Sequence, residues 1–185
     1  MISRTILVVF LAAFTLASCA KKESGAASAN ATADSMKAAY VAMTAAWDGG
    51  KASDLEKYVS ADFVLRNAMP GTKGNLEDMK KMAAMVSTAY PDMKSTVEDM
   101  RVDGDVITAR IRMTGTNTGP DMGMPATNKK IDVMAMSMYR WKNGKFVEGW
   151  FTMEEMKMMT QLGMMPEMGA SNAAKDAAKP DAKKK

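Results

Sequence analysis

Apolar residues return along this chain with two different periods, and the change between them divides the folded part in two. From Asp34 onward Met36, Ala39, Tyr40, Met43, Ala46 and Trp47 follow helical spacing until Gly49-Gly50. This predicts a helix capped by Thr32 or Asp34 with one buried face. Ser53 with Glu56 has the capping-box arrangement and opens a short helix through Leu55 and Tyr58, ending near Ser60. An extended Asp62-Phe63-Val64-Leu65 stretch and a Met69-Pro70-Gly71 turn come next. Asn75 then caps a third helix, with Leu76, Met79, Met82, Ala83 and Val86 on its inner side, which stops before Pro91.

Beyond Pro91 the period falls to two. Ser95 to Val102 alternates, Asp103-Gly104 turns, and Val106 to Thr114 sends Ile107, Ala109, Ile111 and Met113 one way and Thr108, Arg110, Arg112 and Thr114 the other. Thr116 to Asn128, rich in Gly, Pro and Asn, reads as a loop. The strongest local signal is Lys142-Asn143-Gly144-Lys145 between two apolar-aromatic runs, a tight hairpin turn that fixes register. On its first strand Met134, Met136 and Met138 share one face and Val133, Ala135, Ser137, Tyr139 and Trp141 the other. After the turn Phe146, Glu148 and Trp150 oppose Val147, Gly149 and Phe151. Thr152 with Glu155 makes a capping box that opens a closing helix to Gly163. Helices first and an antiparallel sheet afterwards predict an α+β domain with three N-terminal helices on one face of a curved sheet.

The chain ends change what this domain is attached to. Residues 1–18 hold one positive charge, Arg4, an apolar run from Ile6 to Phe14 and small residues before Cys19, the pattern of a secretory signal too short to span. Leu16-Ala17-Ser18-Cys19 resembles the bacterial lipobox, which implies lipid on the sulfur and amino group of Cys19 and a membrane-held protein. Ala20, where an Asp would imply retention at the inner membrane, favours the periplasmic face of the outer membrane. Residues 19–33 read as a flexible tether, 34–168 as the domain and 169–185 as a disordered Ala/Lys-rich tail. The net charge of +4 is concentrated in these ends, and the domain itself is close to neutral, so nucleic acid is not an expected partner. With one Cys and no His, internal disulfides, His-based triads and ordinary His zinc sites are excluded.

Several segments in fixed order resemble the SnoaL-like polyketide cyclases, also called ester cyclases, of the nuclear-transport-factor-2-like superfamily. They are Tyr40 with Trp47-Asp48-Gly49-Gly50, Leu55 to Phe63, Tyr90-Pro91-Asp92-Met93, Val97-Glu98-Asp99, Gly104-Asp105-Val106, Thr114 to Gly119, Gly144 to Trp150 and Gln161-Leu162-Gly163. The resemblance implies a cone-shaped α+β barrel with a mostly apolar cavity, commonly dimeric through the sheet. In cyclase members an acidic residue near the start of the last helix removes a proton from carbon, and that place falls on Glu154. Gly149 and Asn117 stand where the family often has His, and Asn67 lies in a segment where His is also common.

The reading is a membrane-anchored lipoprotein whose domain holds a small apolar or amphiphilic molecule in the cone without turnover and without a cofactor. The expected lining is Tyr40, Trp47, Asn67, Arg110, Arg112, Asn117, Met136 and Trp150. Arg110 and Arg112 either anchor an anionic group or pair with Glu98 or Asp132. The enzyme alternative is a cyclase or isomerase with Glu154 as general base, which needs burial to raise its pKa. Methionine, 22 of 185 residues, supports two readings. It replaces leucine as adaptable core filler, or it binds Cu(I) or Ag(I) through thioethers, for which Met122, Met124, Met164, Met165 and Met168 are the candidates.

Overall fold

The computed structural model describes residues 17–121 and 123–166, with side chains from Asn30 onward. The order is α1 (Ala17–Asp48), a 3-10 helix (Ala52–Lys57), β1 (Val59–Leu65), α2 (Leu76–Ala89), β2 (Lys94–Asp103), β3 (Val106–Thr116), β4 (Lys130–Lys142), β5 (Lys145–Met153) and α3 (Glu155–Leu162). The helices pack on one face of a five-stranded curved sheet, in the cone-shaped α+β arrangement. Strand order is β1-β5-β4-β3-β2. Four strands form an antiparallel meander, and β1 joins it by pairing parallel with β5, where the sequence predicts an antiparallel sheet throughout.

The meander follows from turn chemistry. Asn143 (φ 51°) and Gly144 (φ 81°) both take positive φ, as a two-residue primed hairpin turn requires, and Lys142 faces Lys145 across it. One expectation fails just past that turn. The register shifts between Arg140 and Trp141, so Trp141 pairs with Phe146 but Arg140 with Glu148. This bulge puts Phe146 and Gly149 on the same inner face and leaves Glu148 and Trp150 outside, so strict alternation does not hold across β5.

α1 buries Met36, Tyr40, Met43 and Ala46 as its period predicts. Its backbone, however, is helical from Ala17, so the stretch read as a tether is part of α1. The segment contains no proline and is rich in alanine, and alanine is the strongest helix former. Asn75 caps α2, its side chain accepting the Asp78 N–H at 3.0 Å. Neither predicted capping box forms. The first helix of that pair is a 3-10 turn without a side-chain cap, and β5 runs on through Thr152, so α3 starts after Glu154. At its other end Gly163 takes the left-handed conformation, and the Lys129 ammonium lies against it, a cation at the negative end of the helix.

Aromatic rings fill the centre of the cone. Tyr139 lies 5.3 Å from Phe146 and 5.9 Å from Tyr40, and Phe146 is 4.9 Å from Trp141, measured between ring centroids. Met36, Met43, Met93 and Met113 complete the buried set, with Met153, Met158 and Met164 half-buried against it. No described helix is long and apolar enough to cross a membrane. The signal segment except its last two residues, and the tail, lie outside the described residues, as do Met122 and Met168.

Candidate functional site

Gly149 is the position on which the inner face turns. A Cβ placed there would stand 2.6 Å from Tyr139 Cε1 and 3.0 Å from Phe63 Cζ. Tyr139 sits directly across the strand pair from Gly149, and its ring takes the space that a side chain at 149 would fill. Glycine is therefore needed here for room.

Tyr40 supplies the one polar contact found among these rings, its hydroxyl 2.7 Å from Ser137 Oγ. Burial pushes the Tyr40 phenol up to about 12, against the smaller opposing effect of its bonds to Ser137 and Thr44. Burial raises Tyr139 as well, with the neighbouring Tyr40 adding to it. Both phenols stay neutral at pH 7 and are able to donate hydrogen bonds.

Glu154 departs from the expectation for a general base. Its side chain is 43% exposed, and Oε2 accepts from Lys157 Nζ at 2.8 Å and from the Met134 N–H at 2.9 Å. The Lys157 bond, followed by the backbone bond, holds the carboxyl below its ordinary value. A base for carbon acids needs the opposite shift, and the burial that would supply it is absent at this side chain.

Two openings among the described residues lie at the surface. One, of about 770 Å³, is bounded by Thr152, Met153, Glu154, Glu155, Met156, Lys157, Thr160 and Gln161 at the passage from β5 to α3. The other, of about 470 Å³, runs along the β3–β4 ends past Asp92, Thr116, Lys130, Asp132 and Gln161. Gln161 borders both. It bonds the Asp132 backbone on each side, accepting from N–H at 2.9 Å and donating to C=O at 3.1 Å, which fastens α3 to β4.

The remaining expected lining residues do not gather in the cone. Trp47 is half-buried against the core. Asn67 is exposed and mimics a strand, donating through Nδ2 to the Phe151 carbonyl and accepting its N–H at 3.0 Å. Asn117 is fully buried but occupied, since Oδ1 accepts from Thr127 N–H at 2.7 Å and Oγ1 at 3.0 Å while Nδ2 donates to the Gly119 carbonyl. Arg110 pairs with Glu98, and Arg112 forks onto both oxygens of Asp132, all on the outer face, so neither is free to anchor a ligand in the cone. Met136 (57% exposed) and Trp150 also stand on the outer face. Of the thioether candidates, Met124 and Met164 are half-buried and Met165 is 37% exposed.

A model of the SnoaL-like polyketide cyclases matches residues 37–162. The chain belongs to this family. Its structural relatives include AclR, a candidate hydroxylase from Streptomyces galilaeus, at 27% identity and a TM-score of 0.65 over 77% of this chain and 92% of that one. A candidate polyketide cyclase from Bacillus cereus ATCC 10987 is 29% identical with a TM-score of 0.62, covering 71% and 82%. TsrD from Streptomyces laurentii shares the fold at 23% identity, with a TM-score of 0.66 over 71% and 97%. No curated protein matches the chain.

Sequence reasoning passed over Gln161 as a fastener and Tyr139 as a plug. Ser137 in an otherwise apolar inner row was the available signal for a buried hydroxyl pair, and Gly149 directly before Trp150 was the signal for a ring needing its space.

Proposed function

We propose that this SnoaL-like protein is a lipid-anchored envelope protein that binds a small amphiphilic molecule without turning it over. The observation that carries the noncatalytic half is the pair Glu154 and Gly149. The acid at the helix start is exposed and ion-paired, and the space of a side chain at 149 is filled by the Tyr139 ring. Proton removal from carbon would need a buried, raised carboxyl and a partner for the developing enolate.

The binding half rests on the recess between β5 and α3. Its volume falls in the range of small-molecule sites, and its wall combines Met153 and Met156 with Glu154 and Lys157. A molecule with an apolar body and a polar end fits that mixture. Methionine side chains are unbranched and adapt to varied apolar shapes, and Met153 both lines the recess and packs against the core. This reading puts the ligand at the edge of the cone, away from the aromatic cluster.

Native mass spectrometry of the intact protein, released from its own membrane in mild detergent, tests the binding. A retained organic mass that disappears in Met156→Asp is the expected result. No retained mass, or one indifferent to Met156, would defeat the reading. Globomycin treatment of cells tests the anchor: accumulation of the unprocessed precursor is expected, and unchanged processing would remove the lipid from the account.

A further inference from the structure

Most methionines of the described chain are shielded from solvent, and the exposed ones differ in what they stand beside. Met36, Met43, Met93 and Met113 are buried, and Met153 and Met158 are half-buried against the core. Met136, Met156 and Met165 are exposed. Met136 stands on the outer sheet face, where the dimer implied by the family would cover it. Met156 is 52% exposed in the first turn of α3 and forms, with Met153, the thioether part of the wall of the β5–α3 recess. Among the described methionines only Met156 is both exposed and part of that wall.

We propose that Met156 is a sulfoxidation site and that its oxidation by a peroxide empties the β5–α3 recess, the second half resting on the ligand reading above. The sulfur lone pair attacks one peroxide oxygen, the O–O bond breaks, and the departing hydroxide takes a proton and leaves as water. Sulfur is oxidised by two electrons and the peroxide, the one co-reactant, is reduced by two. A flexible apolar thioether becomes a polar, chiral sulfoxide in the wall of the recess. A polar oxygen pressed against the apolar body of a ligand loses its water and needs a donor in return. The donors on α3 itself are already bonded, Lys157 to Glu154, Thr160 to the Met156 carbonyl and Gln161 to the Asp132 carbonyl. The sulfoxide therefore keeps its water and the ligand leaves. Cys19, the one thiol of the chain, is blocked by lipid in the anchored form, which leaves thioethers as the oxidisable sulfur. Methionine sulfoxide reductases reverse the step, so occupancy of the recess follows the oxidation state of Met156 in both directions.

The test is hydrogen peroxide treatment of the intact protein in mild detergent, read by peptide mass mapping for the site and by native mass spectrometry for the retained organic mass. Met156 is expected to oxidise about tenfold faster than the buried Met43 and Met113, with fragment ions separating it from Met153, and the retained mass is expected to fall in step with Met156 sulfoxide. In Met156→Leu, where an apolar wall without sulfur remains, the fraction of mass lost to peroxide should drop about fivefold whatever the starting occupancy. In Met165→Leu, which removes an exposed thioether outside the wall, that fraction should match the wild type. An unchanged circular dichroism spectrum confirms that the variants fold. Oxidation of Met156 no faster than that of Met113, or a mass still held by chains carrying Met156 sulfoxide, overturns the proposal. A wild type that retains no mass before peroxide defeats the ligand reading and the emptying with it, while the rate ratio still decides the site.

Discussion

The two faces of β4 carry similar numbers of apolar side chains and do different things with them. Ile131, Val133, Ala135, Ser137 and Tyr139 face inward and are all buried, whereas Met134, Met136 and Met138 face outward with Met136 more than half exposed. Inside, shape decides: rings interlock, Gly149 makes room for Tyr139, and the one polar pair satisfies itself. Outside, residue chemistry decides, because little packs there and the flanking arginines are each matched by a carboxylate. Substitutions on the inner face should therefore cost more stability than those on the outer face.

The largest effect is expected on the inner side of β5. Phe146→Ala empties a fully buried position and should cost about 4 kcal/mol in denaturant unfolding, while Trp150→Phe, four residues on and outside, should change stability by less than about 1 kcal/mol. Equal costs would erase the distinction between the faces. Gly149→Ala forces a methyl into the Tyr139 ring and is expected to destabilise by about 2 kcal/mol, and combining it with Tyr139→Leu should recover part of that loss. An additive double variant would mean that Tyr139 is not what fills the space. Asn67→Ala removes both bonds to the Phe151 backbone and should cost about 1 kcal/mol.

The smallest effect is electrostatic. Asp105, Asp132, Glu148 and Glu154 all titrate below their ordinary values because of cationic partners, Arg140 for Asp105, Arg112 for Asp132, Arg66 then Arg140 for Glu148, and Lys157 for Glu154. A lowered folded-state pKa gives stability that is present above the unfolded value and is lost as pH falls through the folded one. Thermal midpoints should therefore decline as pH drops below the ordinary Asp and Glu values of 3.8 and 4.5. Asp48 runs the other way, since burial raises its pKa. Its protonation favours the fold, so Asp48→Asn should steepen the acid decline. These ion pairs are exposed, and 0.5 M salt should flatten the acid-side slope.

Local patterns were legible in the sequence wherever one residue type forces one geometry. Asn143-Gly144 fixed the hairpin, Asn75 the start of α2, and the inner row of β3 read directly as Ile107, Ala109, Ile111 and Met113. Arg110 and Arg112 paired with the carboxylates that their spacing suggested as one of two options. What failed depended on register or on long-range contact. The bulge at Arg140/Trp141, which no turn residue announces, moved Phe146 to the other face. The capping boxes looked complete as letters, but Thr152 was claimed by β5, whose pairing with Met136 outweighs one cap bond. Asn67 and Asn117, chosen because they stand near histidine positions of the family, bond backbone that is distant in sequence or across a loop. The filling of the cone was the hardest to foresee, because it needs the Tyr139 ring and the gap at Gly149 to be seen together.

Native mass spectrometry of wild type and Glu154→Gln, each taken from its own membrane, most directly tests binding without turnover. The same organic mass is expected in both, at an occupancy that falls in Glu154→Gln only as far as Glu154 borders the recess. A mass retained only by Glu154→Gln, or two masses differing by a cyclisation or hydrolysis step, would show that Glu154 acts on the ligand and would contradict the account.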